Sequence, residues 1–355
     1  MSEYWNNRVR NLSPYIPGEQ PKDRKFIKLN TNENPYPPSP KVIQAIQKAA
    51  DESLRLYPDP ECTMLRETVA KRYNVKPQQV FAGNGSDEIL AFAFGAFFES
   101  SKDSPALFPD ITYSFYPVYA NLWNIKYQTI PLCKDFTVNI ENYKINSCGA
   151  ILPNPNAPTS IALTLDDILS VSEYLEKQKK VFIVDEAYAA FGAQSAVPHI
   201  EKYQNLLTVH TLSKSASLAG LRAGFAVGSE KLIEGLCRIR DSFNSYTLDR
   251  LALAGACAAI EDIVYYDEIN RKVTSTRERT AEKLKKLGFN VLLSSANFLF
   301  IKAPDRSGEE IFAMLRKKGI LVRHFNKERI ADYLRVSIGT DEDMDIFINA
   351  CREIL

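Results

Sequence analysis

Lys214 stands in the run Thr211-Leu212-Ser213-Lys214-Ser215-Ala216-Ser217-Leu218-Ala219-Gly220-Leu221-Arg222-Ala223-Gly224-Phe225, directly after the apolar stretch Leu206-Leu207-Thr208-Val209 and among small residues. An amine held partly out of water loses hydration of its charged form, so its pKa falls and it becomes a nucleophile toward an aldehyde. A lone lysine after a strand is ordinarily a solvated surface group; other segments of the chain argue for chemistry here. The apolar run Val181-Phe182-Ile183-Val184 ends in Asp185, followed by Glu186, Ala187 and Tyr188. A carboxylate just beyond the carboxyl end of a strand lies where open α/β sheets bind their ligands.

An aspartate in that place is the partner that the ring nitrogen of pyridoxal 5′-phosphate needs. It keeps the nitrogen protonated, and the protonated ring accepts the electron pair left at a substrate carbon. Tyr188 is placed to donate to the ring's phenolate oxygen. A phosphate needs N–H donors and positive charge, and Phe81-Ala82-Gly83-Asn84-Gly85-Ser86-Asp87-Glu88 supplies a glycine-containing turn opening an apolar helix. The amides of Gly85, Ser86 and Asp87 at the positive end of that helix make an anion seat. Ser213 and Arg222 flank the lysine and complete the phosphate shell, the arginine through a forked contact. In a G-x-G-x-x-G pattern the third glycine would fall on Glu88, which argues against a dinucleotide, and no Walker lysine is present. Arg323 follows Ile320-Leu321-Val322, and Arg335 stands inside Leu334-Arg335-Val336-Ser337-Ile338. A charge in such an apolar strand either lies on a solvated face or is buried to meet an anion, for which carboxylate or phosphate substrates are suited.

These side chains need a scaffold that brings them together. From Pro40 to about Tyr246, helical periodicity (Lys41 to Ala50, Met64 to Tyr73, Ile89 to Phe98) alternates with apolar runs at Ala106 to Phe108, Ala150 to Leu152, Val181 to Val184 and Leu206 to Val209. Continuous apolar strands separated by helices predict an α/β fold with a mainly parallel sheet covered on both faces. Further on, amphipathic helical sequence from Leu248 to Leu287 leads into strands at Phe298 to Ile301, Ile320 to Arg323 and Leu334 to Ile338, with helices over Gly308 to Lys317 and Asp341 to Ile354. That pattern reads as a small α+β lobe. Residues rich in Pro and Asn, such as Asn30-Thr31-Asn32-Glu33-Asn34-Pro35-Tyr36-Pro37-Pro38, read as an extended arm that packs on something else. The expected division is an arm over 1–40, a large cofactor-binding domain over 41–246 and a small substrate domain over 247–355.

A chain of 355 residues can bury a large core in two lobes. Its 44 basic residues balance 43 acidic ones, which leaves no electrostatic footprint for nucleic acid or an anionic membrane and points to small molecules or copies of itself as partners. The start, Met-Ser-Glu-Tyr-Trp, lacks an apolar signal core, and the longest apolar stretches, Ala91 to Phe98 and Leu251 to Ile260, are too short to span a bilayer. The expected location is cytoplasmic. The six cysteines show no C-x-x-C spacing and the three histidines no ligand spacing, so neither a disulfide framework nor a metal site is expected.

Taken together and in this order, the motifs resemble those of the fold-type I pyridoxal-phosphate aminotransferases, and more narrowly the histidinol-phosphate aminotransferase family. The resemblance covers nearly the whole length and includes Pro14-Tyr15-Ile16-Pro17-Gly18, Leu29-Asn30-Thr31-Asn32-Glu33-Asn34-Pro35-Tyr36, Tyr57-Pro58-Asp59-Pro60, the Gly83 to Glu88 turn, Asp185 to Tyr188, Thr211 to Lys214, Leu218 to Phe225 and Tyr333 to Thr340. It implies a large domain with a mainly parallel, seven-stranded-type sheet and a small α+β domain. It implies that Lys214 carries pyridoxal 5′-phosphate covalently and then moves the substrate proton, that Asp185 pairs with the ring nitrogen, and that Tyr188 contacts the ring oxygen. Tyr113 matches the aromatic residue that stacks on the ring, and Gly85, Ser86, Asp87, Ser213 and Arg222 match the phosphate seat. Tyr57 matches a residue that reaches the phosphate in a neighbouring subunit, which implies a homodimer with shared sites. Where this chain has Ala157-Pro158-Thr159-Ser160 the family commonly shows Asn-Pro-Thr-Gly, so the ring-oxygen asparagine is missing and the expectation passes to Asn156.

The implied reaction is amine transfer between L-histidinol phosphate and 2-oxoglutarate, giving imidazole-acetol phosphate and glutamate. On this reading Arg335 grips the α-carboxylate of glutamate, Arg323 meets the substrate phosphate or glutamate's distal carboxylate, and Tyr15 lines the imidazole pocket. Two readings stay open beside it: an aromatic or broad-range amino acid aminotransferase, and a decarboxylase of a phosphorylated threonine-like substrate.

Overall fold

The computed structural model describes residues 2–21 and 25–355. Its centre is a seven-stranded sheet in the order Val80–Gly83, Gly224–Val227, Leu206–Thr211, Val181–Asp185, Gly149–Pro153, Ala106–Pro109, Tyr127–Ile130. Gly224–Val227 pairs antiparallel with both neighbours, and the remaining strands run parallel to one another. Successive residues of a strand face opposite sides of a sheet, and here both sides are covered. Phe182, Val184, Leu206 and Leu152 enter one core, with the helices Pro40–Ala49, Thr63–Tyr73 and Arg250–Glu261 over it. Ile183, Leu207, Val209 and Ile151 enter the other, beneath Gly85–Phe97 and Glu230–Phe243. That double burial is why these strands read as continuous apolar runs.

The second lobe is a four-stranded antiparallel sheet, Arg323–His324, Tyr333–Ser337, Phe298–Lys302 and Asn290–Val291 in that order. Its core holds Val336, Leu299, Ile301, Phe347 and Leu284. Capping boxes start the helices Gly308–Lys317 (Ser307 with Glu310) and Asp341–Ile354 (Thr340 with Asp343), each satisfying two otherwise free N–H groups. The long helical stretch expected from Leu248 is two helices, Arg250–Glu261 and Ile263–Lys286, broken at Asp262. Leu248, Ala252, Leu253, Ala256 and Ile269 pack into the large-sheet core, while Val273, Ala281 and Leu284 pack into the small-lobe core. The Ile263–Lys286 helix thus contributes to both cores, with Ile269 in the first and Val273, Ala281 and Leu284 in the second.

Part of the arm is woven into the small lobe. Ile27–Lys28 pairs in parallel with Ile320–Leu321, Leu29 N–H donates to Leu321 O at 2.8 Å, and Ser337 N–H donates to Leu29 O at 3.0 Å. Nearer the start, Asn7–Asn11 is a short helix capped by Asn6. Among the described residues no helix is long and apolar enough to cross a membrane.

Candidate active site

The carboxyl ends of Val181–Asp185 and Leu206–Thr211, the start of the Gly85–Phe97 helix, and the face of the small lobe surround a cleft of about 300 Å³. Lys214, Asp185, Tyr188, Tyr113, Arg222 and Arg335 all line it, although more than 220 residues separate the first from the last in sequence. Ser86, Asp87, Ser213, Tyr15 and Arg323 also face it.

Lys214 is half-buried, and its Nζ donates to the backbone carbonyl of Thr31 at 3.1 Å. Loss of water pushes its pKa down to about 8, helped by the positive charge of Arg335 and opposed by Glu33 and Asp87. Asp185 is 5% exposed; Tyr116 Oη donates to its Oδ2 at 2.8 Å and Ala187 N–H to its Oδ1 at 3.2 Å. Burial pushes the carboxyl up to about 6 against those two donors, so a cation facing it would restore its ionised form. Tyr188 packs edge-on against Phe298 of the small lobe, with ring centroids 5.1 Å apart, and its hydroxyl accepts from Asn32 Nδ2 at 3.0 Å.

Opposite these, the Gly85–Phe97 helix begins without a side-chain cap, so its first N–H groups are open to an anion. Gly85 is needed there: its φ is +76°, and a Cβ would stand 2.7 Å from Arg222 Nη2. A Cβ on Gly224 would likewise stand 2.8 Å from the backbone N of Ser86. Both glycines thus let guanidinium and strand approach the helix end closely. Arg222 forks, with Nη1 3.4 Å from Ser213 Oγ and Nη2 3.2 Å from Asp87 Oδ2. The Asp87 carboxylate is further held by the hydroxyls of Tyr113 at 2.7 Å and Tyr119 at 3.4 Å.

Arg335 faces the same space from the small lobe. Its Nη2 donates to Asn30 O at 2.9 Å, its guanidinium lies 5.5 Å from the Phe298 ring and 5.7 Å from the Phe325 ring, and its buried Nε has no partner. Burial lowers its pKa, and a cation with an idle buried donor is suited in chemistry to a carboxylate. Arg323 donates to Ile16 O at 3.4 Å, and Tyr15 stacks on Phe115 at 4.2 Å.

Two of the expected residues do not line this chain's cleft, Asn156 against expectation and Tyr57 in keeping with a role at a neighbouring subunit's site. Asn156 is buried behind Ala157, which lines the cleft in its place; Asn156 Nδ2 is spent on Ile111 O at 3.0 Å and Thr159 Oγ1 at 2.9 Å, and its Oδ1 faces no partner. The bend at Asn154 to Ser160 turns the residue inward, so it does not reach the cleft. Tyr57 lies on the outer surface, 78% exposed and stacked on Tyr246 at 4.6 Å, away from this chain's own cleft. Thr31 and Asn32 at the cleft, and Tyr116 buried beneath it, carried no individual signal. Tyr116 lies in an aromatic run and the other two in the Asn-rich arm, where the density of polar residues was the only sign.

The donor set fits pyridoxal 5′-phosphate. A half-buried amine, a buried carboxyl raised by desolvation, and a helix N-terminus with glycine clearance for a guanidinium correspond to its aldehyde, ring nitrogen and phosphate. A separate cavity of about 290 Å³ lies behind the Leu206–Thr211 strand, lined by Glu186, His210 and Tyr73. It contains neither Lys214 nor Asp185.

The family profile described as aminotransferase class I and II matches residues 24–351. The chain is 55% identical over 355 residues to the histidinol-phosphate aminotransferase of Clostridium acetobutylicum, with all of each chain covered. It is 52% identical to that of Clostridium beijerinckii, covering 100% of this chain and 98% of the relative. In fold it resembles the histidinol-phosphate aminotransferase of Sinorhizobium meliloti solved in complex with pyridoxal-5′-phosphate, with a TM-score of 0.89 at 23% identity over 100% of this chain and 98% of that one. Likeness that runs end to end at more than half identity, on the fold-type I architecture described above, means that the chain belongs to the class I and II aminotransferase family.

Proposed function

We propose that the chain is a pyridoxal-phosphate-dependent transaminase that exchanges an amino group between L-histidinol phosphate and 2-oxoglutarate, a step of histidine biosynthesis. The observation that carries this reading is one cleft holding both an amine with a lowered pKa, Lys214, and an enclosed guanidinium with an unpartnered Nε, Arg335. The first suits a covalent tether and the second a substrate carboxylate. The names of the relatives at 52–55% identity support the choice of substrate.

When bound, pyridoxal phosphate supplies an aldehyde for an amine to join and a ring that accepts the electron pair left when a substrate proton departs. The chain's own residues do the rest. Asp185, ionised by a facing cation, would pair with the ring nitrogen and hold its proton there. Gly85, Ser86 and Asp87 offer backbone N–H groups, and Ser213 and Arg222 side-chain donors, to the phosphate. Tyr188 would donate toward the ring oxygen, and Tyr113 would cover the ring face. With substrate in the cleft, Lys214 Nζ would take the proton from the substrate carbon and later give it back, as a positioned general base and acid. Arg335 orients the glutamate carboxylate, Arg323 meets the second anionic group, and Tyr15 stands beside the imidazole.

The exposed Tyr57, stacked on the exposed Tyr246 and close in sequence to the exposed Leu54 and Leu56, suits a homodimer in which Tyr57 from a second copy reaches the phosphate. Light scattering should then give twice the 40.1 kDa chain mass. A cytoplasmic location is part of the proposal: all six cysteines are free thiols, four of them buried, as suits a reducing compartment.

The test has two arms. Borohydride reduction and peptide mapping should place a pyridoxyl group on Lys214. An amine-transfer assay over a panel of donors should then show histidinol phosphate preferred over phenylalanine. Preference for phenylalanine would replace the substrate assignment, and gas release without a 2-oxo acid requirement would replace the reaction.

A further inference from the structure

Asn32 is 1% exposed and adopts a left-handed backbone with φ 57°, where the arm leaves the small lobe and enters the cleft wall. All four of its polar groups are engaged. Its N–H donates to Ser337 Oγ at 2.8 Å, and its carbonyl accepts from Asn297 Nδ2 at 2.9 Å. Its Oδ1 accepts from Ser337 Oγ at 2.9 Å, and its Nδ2 donates to Tyr188 Oη at 3.0 Å. The serine decides which end of the amide faces which partner. Ser337 Oγ accepts from the backbone N–H, and among the described residues the amide end beside it is the acceptor for its own proton, which makes that end the carbonyl. The NH₂ end is left for Tyr188.

A phenol oxygen that accepts a hydrogen bond from Asn32 keeps its own proton to give away, and Tyr188 lines the cleft beside Lys214 and Asp185. Ala157 faces the same space with no side-chain donor, and Asn156 is turned away from it. Resting on the cofactor reading above, we infer that Asn32 is a positioning residue: its amide holds the Tyr188 hydroxyl proton toward the cleft, so that Tyr188 can only donate to the ring oxygen of the cofactor. The same amide joins that donor to the small lobe. Ser337 stands two positions after Arg335 on one strand, and Arg335 grips the carbonyl of Asn30, two positions before Asn32. The tyrosine's proton and the carboxylate receptor are thus set by one short run of backbone.

The test follows the visible absorbance of the bound cofactor against pH, in holoenzyme reconstituted with pyridoxal phosphate. A donor to an ionised oxygen lowers that oxygen's affinity for a proton, so losing the donor raises the midpoint of the titration. Asn32→Asp keeps the shape but puts an acceptor against Tyr188, which turns the phenol proton out of the cleft. We expect the midpoint to rise by about one pH unit, in the direction of Tyr188→Phe, with kcat falling more than KM changes. A new carboxylate also acts through its charge, and that part persists when the substitution is repeated in a Tyr188→Phe background. The inference expects the shift there to shrink to less than about half. Asn32→Gly keeps the left-handed backbone and both main-chain bonds while deleting the amide; it should shift the midpoint in the same direction, and not at all beside Tyr188→Phe. Equal shifts with and without the tyrosine hydroxyl, or none from either variant, overturn the inference alone. A wild-type protein with no bound-cofactor band overturns the cofactor reading, and this inference with it.

Discussion

Tyr116 Oη donates a 2.8 Å hydrogen bond to Oδ2 of Asp185, joining the first residue of the Tyr116–Leu122 helix to the last residue of the Val181–Asp185 strand. The tyrosine has no exposed surface and is packed among Phe94, Phe108 and Tyr113. Its hydroxyl therefore has a fixed direction. Burial alone drives the Asp185 carboxyl toward its neutral form, and this donor is the largest influence pulling it back.

Replacing Tyr116 by Phe removes that donor with little change in shape. The carboxyl should then rise above its present value of about 6, leaving less of it ionised to face a cationic ring nitrogen. A hydrogen bond to a charged group contributes about 1.5–3 kcal/mol, so the dissociation constant for pyridoxal phosphate at pH 7 should increase by roughly 10–100-fold. Affinity should also begin to fall at a higher pH as the solution is acidified. A binding titration followed by absorbance checks both, and an unchanged dissociation constant would show that the contact is only packing.

Arg335→Ala should raise KM for glutamate by roughly 100-fold, in line with about 2–5 kcal/mol for truncating one partner of an enclosed charge pair. Pyridoxal phosphate affinity should change by less than about 3-fold, because a cation that contacts no part of the cofactor seat contributes little to it. Steady-state kinetics with glutamate, set beside cofactor binding, separates the two; equal losses contradict the role given to the guanidinium.

The Lys214 amine, lowered to about 8, is charged below that pH and neutral above it. Capture of pyridoxal phosphate by the apoprotein should accordingly speed up about tenfold per pH unit on the acid side and level off above about 8. Arg335 is the second cause of the lowering, so Arg335→Ala should move that profile to higher pH. Stopped-flow absorbance reads the profile directly. Lys214→Ala should abolish the capture and reduce amine transfer on the order of 10³-fold or more.

Glu186 lies behind the site with its Oε1 accepting from Ala196 N–H at 2.7 Å and its buried Oε2 without a hydrogen bond, 3.7 Å from His210 Nε2. Burial pushes its carboxyl from an ordinary 4.5 up to about 7. A folded-state pKa above the unfolded one means that the group's contribution is complete below about 4.5 and is lost as pH rises through about 7. Glu186→Gln keeps the bond from Ala196 and removes the titration. The stability of the variant relative to wild type should therefore grow between pH 5 and 8, by on the order of 2 kcal/mol. Denaturant melts at several pH values measure it, and parallel curves would mean that Glu186 finds a partner in water.

Much of the site was legible in the chain. Asp185 ends an apolar run and Arg335 interrupts one, where a charge has to be explained by a partner, and Lys214 follows a strand-like run among small residues. Gly85 and Ser86 open an apolar helix, where an anion seat is a general property of the helix end. The strand Tyr127–Ile130, by contrast, has three exposed residues out of four at the sheet edge, so it carried no apolar run to detect. Gly224–Val227 was hidden by following the lysine loop closely and by running opposite to its neighbours. Asn156 illustrates the limit at single residues: its type and position suited the ring oxygen, but the backbone of Asn154 to Ser160 turns its amide to Ile111 and Thr159.

By itself the sequence determined the alternation of strand and helix, the chemistry available at each strand end, and the family, because these depend on residue type and on periods of two or 3.6 residues along the chain. Only the tertiary structure decided that Thr31 receives the lysine, that Asn32 holds Tyr188, and that Tyr116 supports Asp185. Those partners are 183, 156 and 69 residues apart, and hydrogen-bond direction between distant groups is set by how whole lobes pack, which no local pattern encodes.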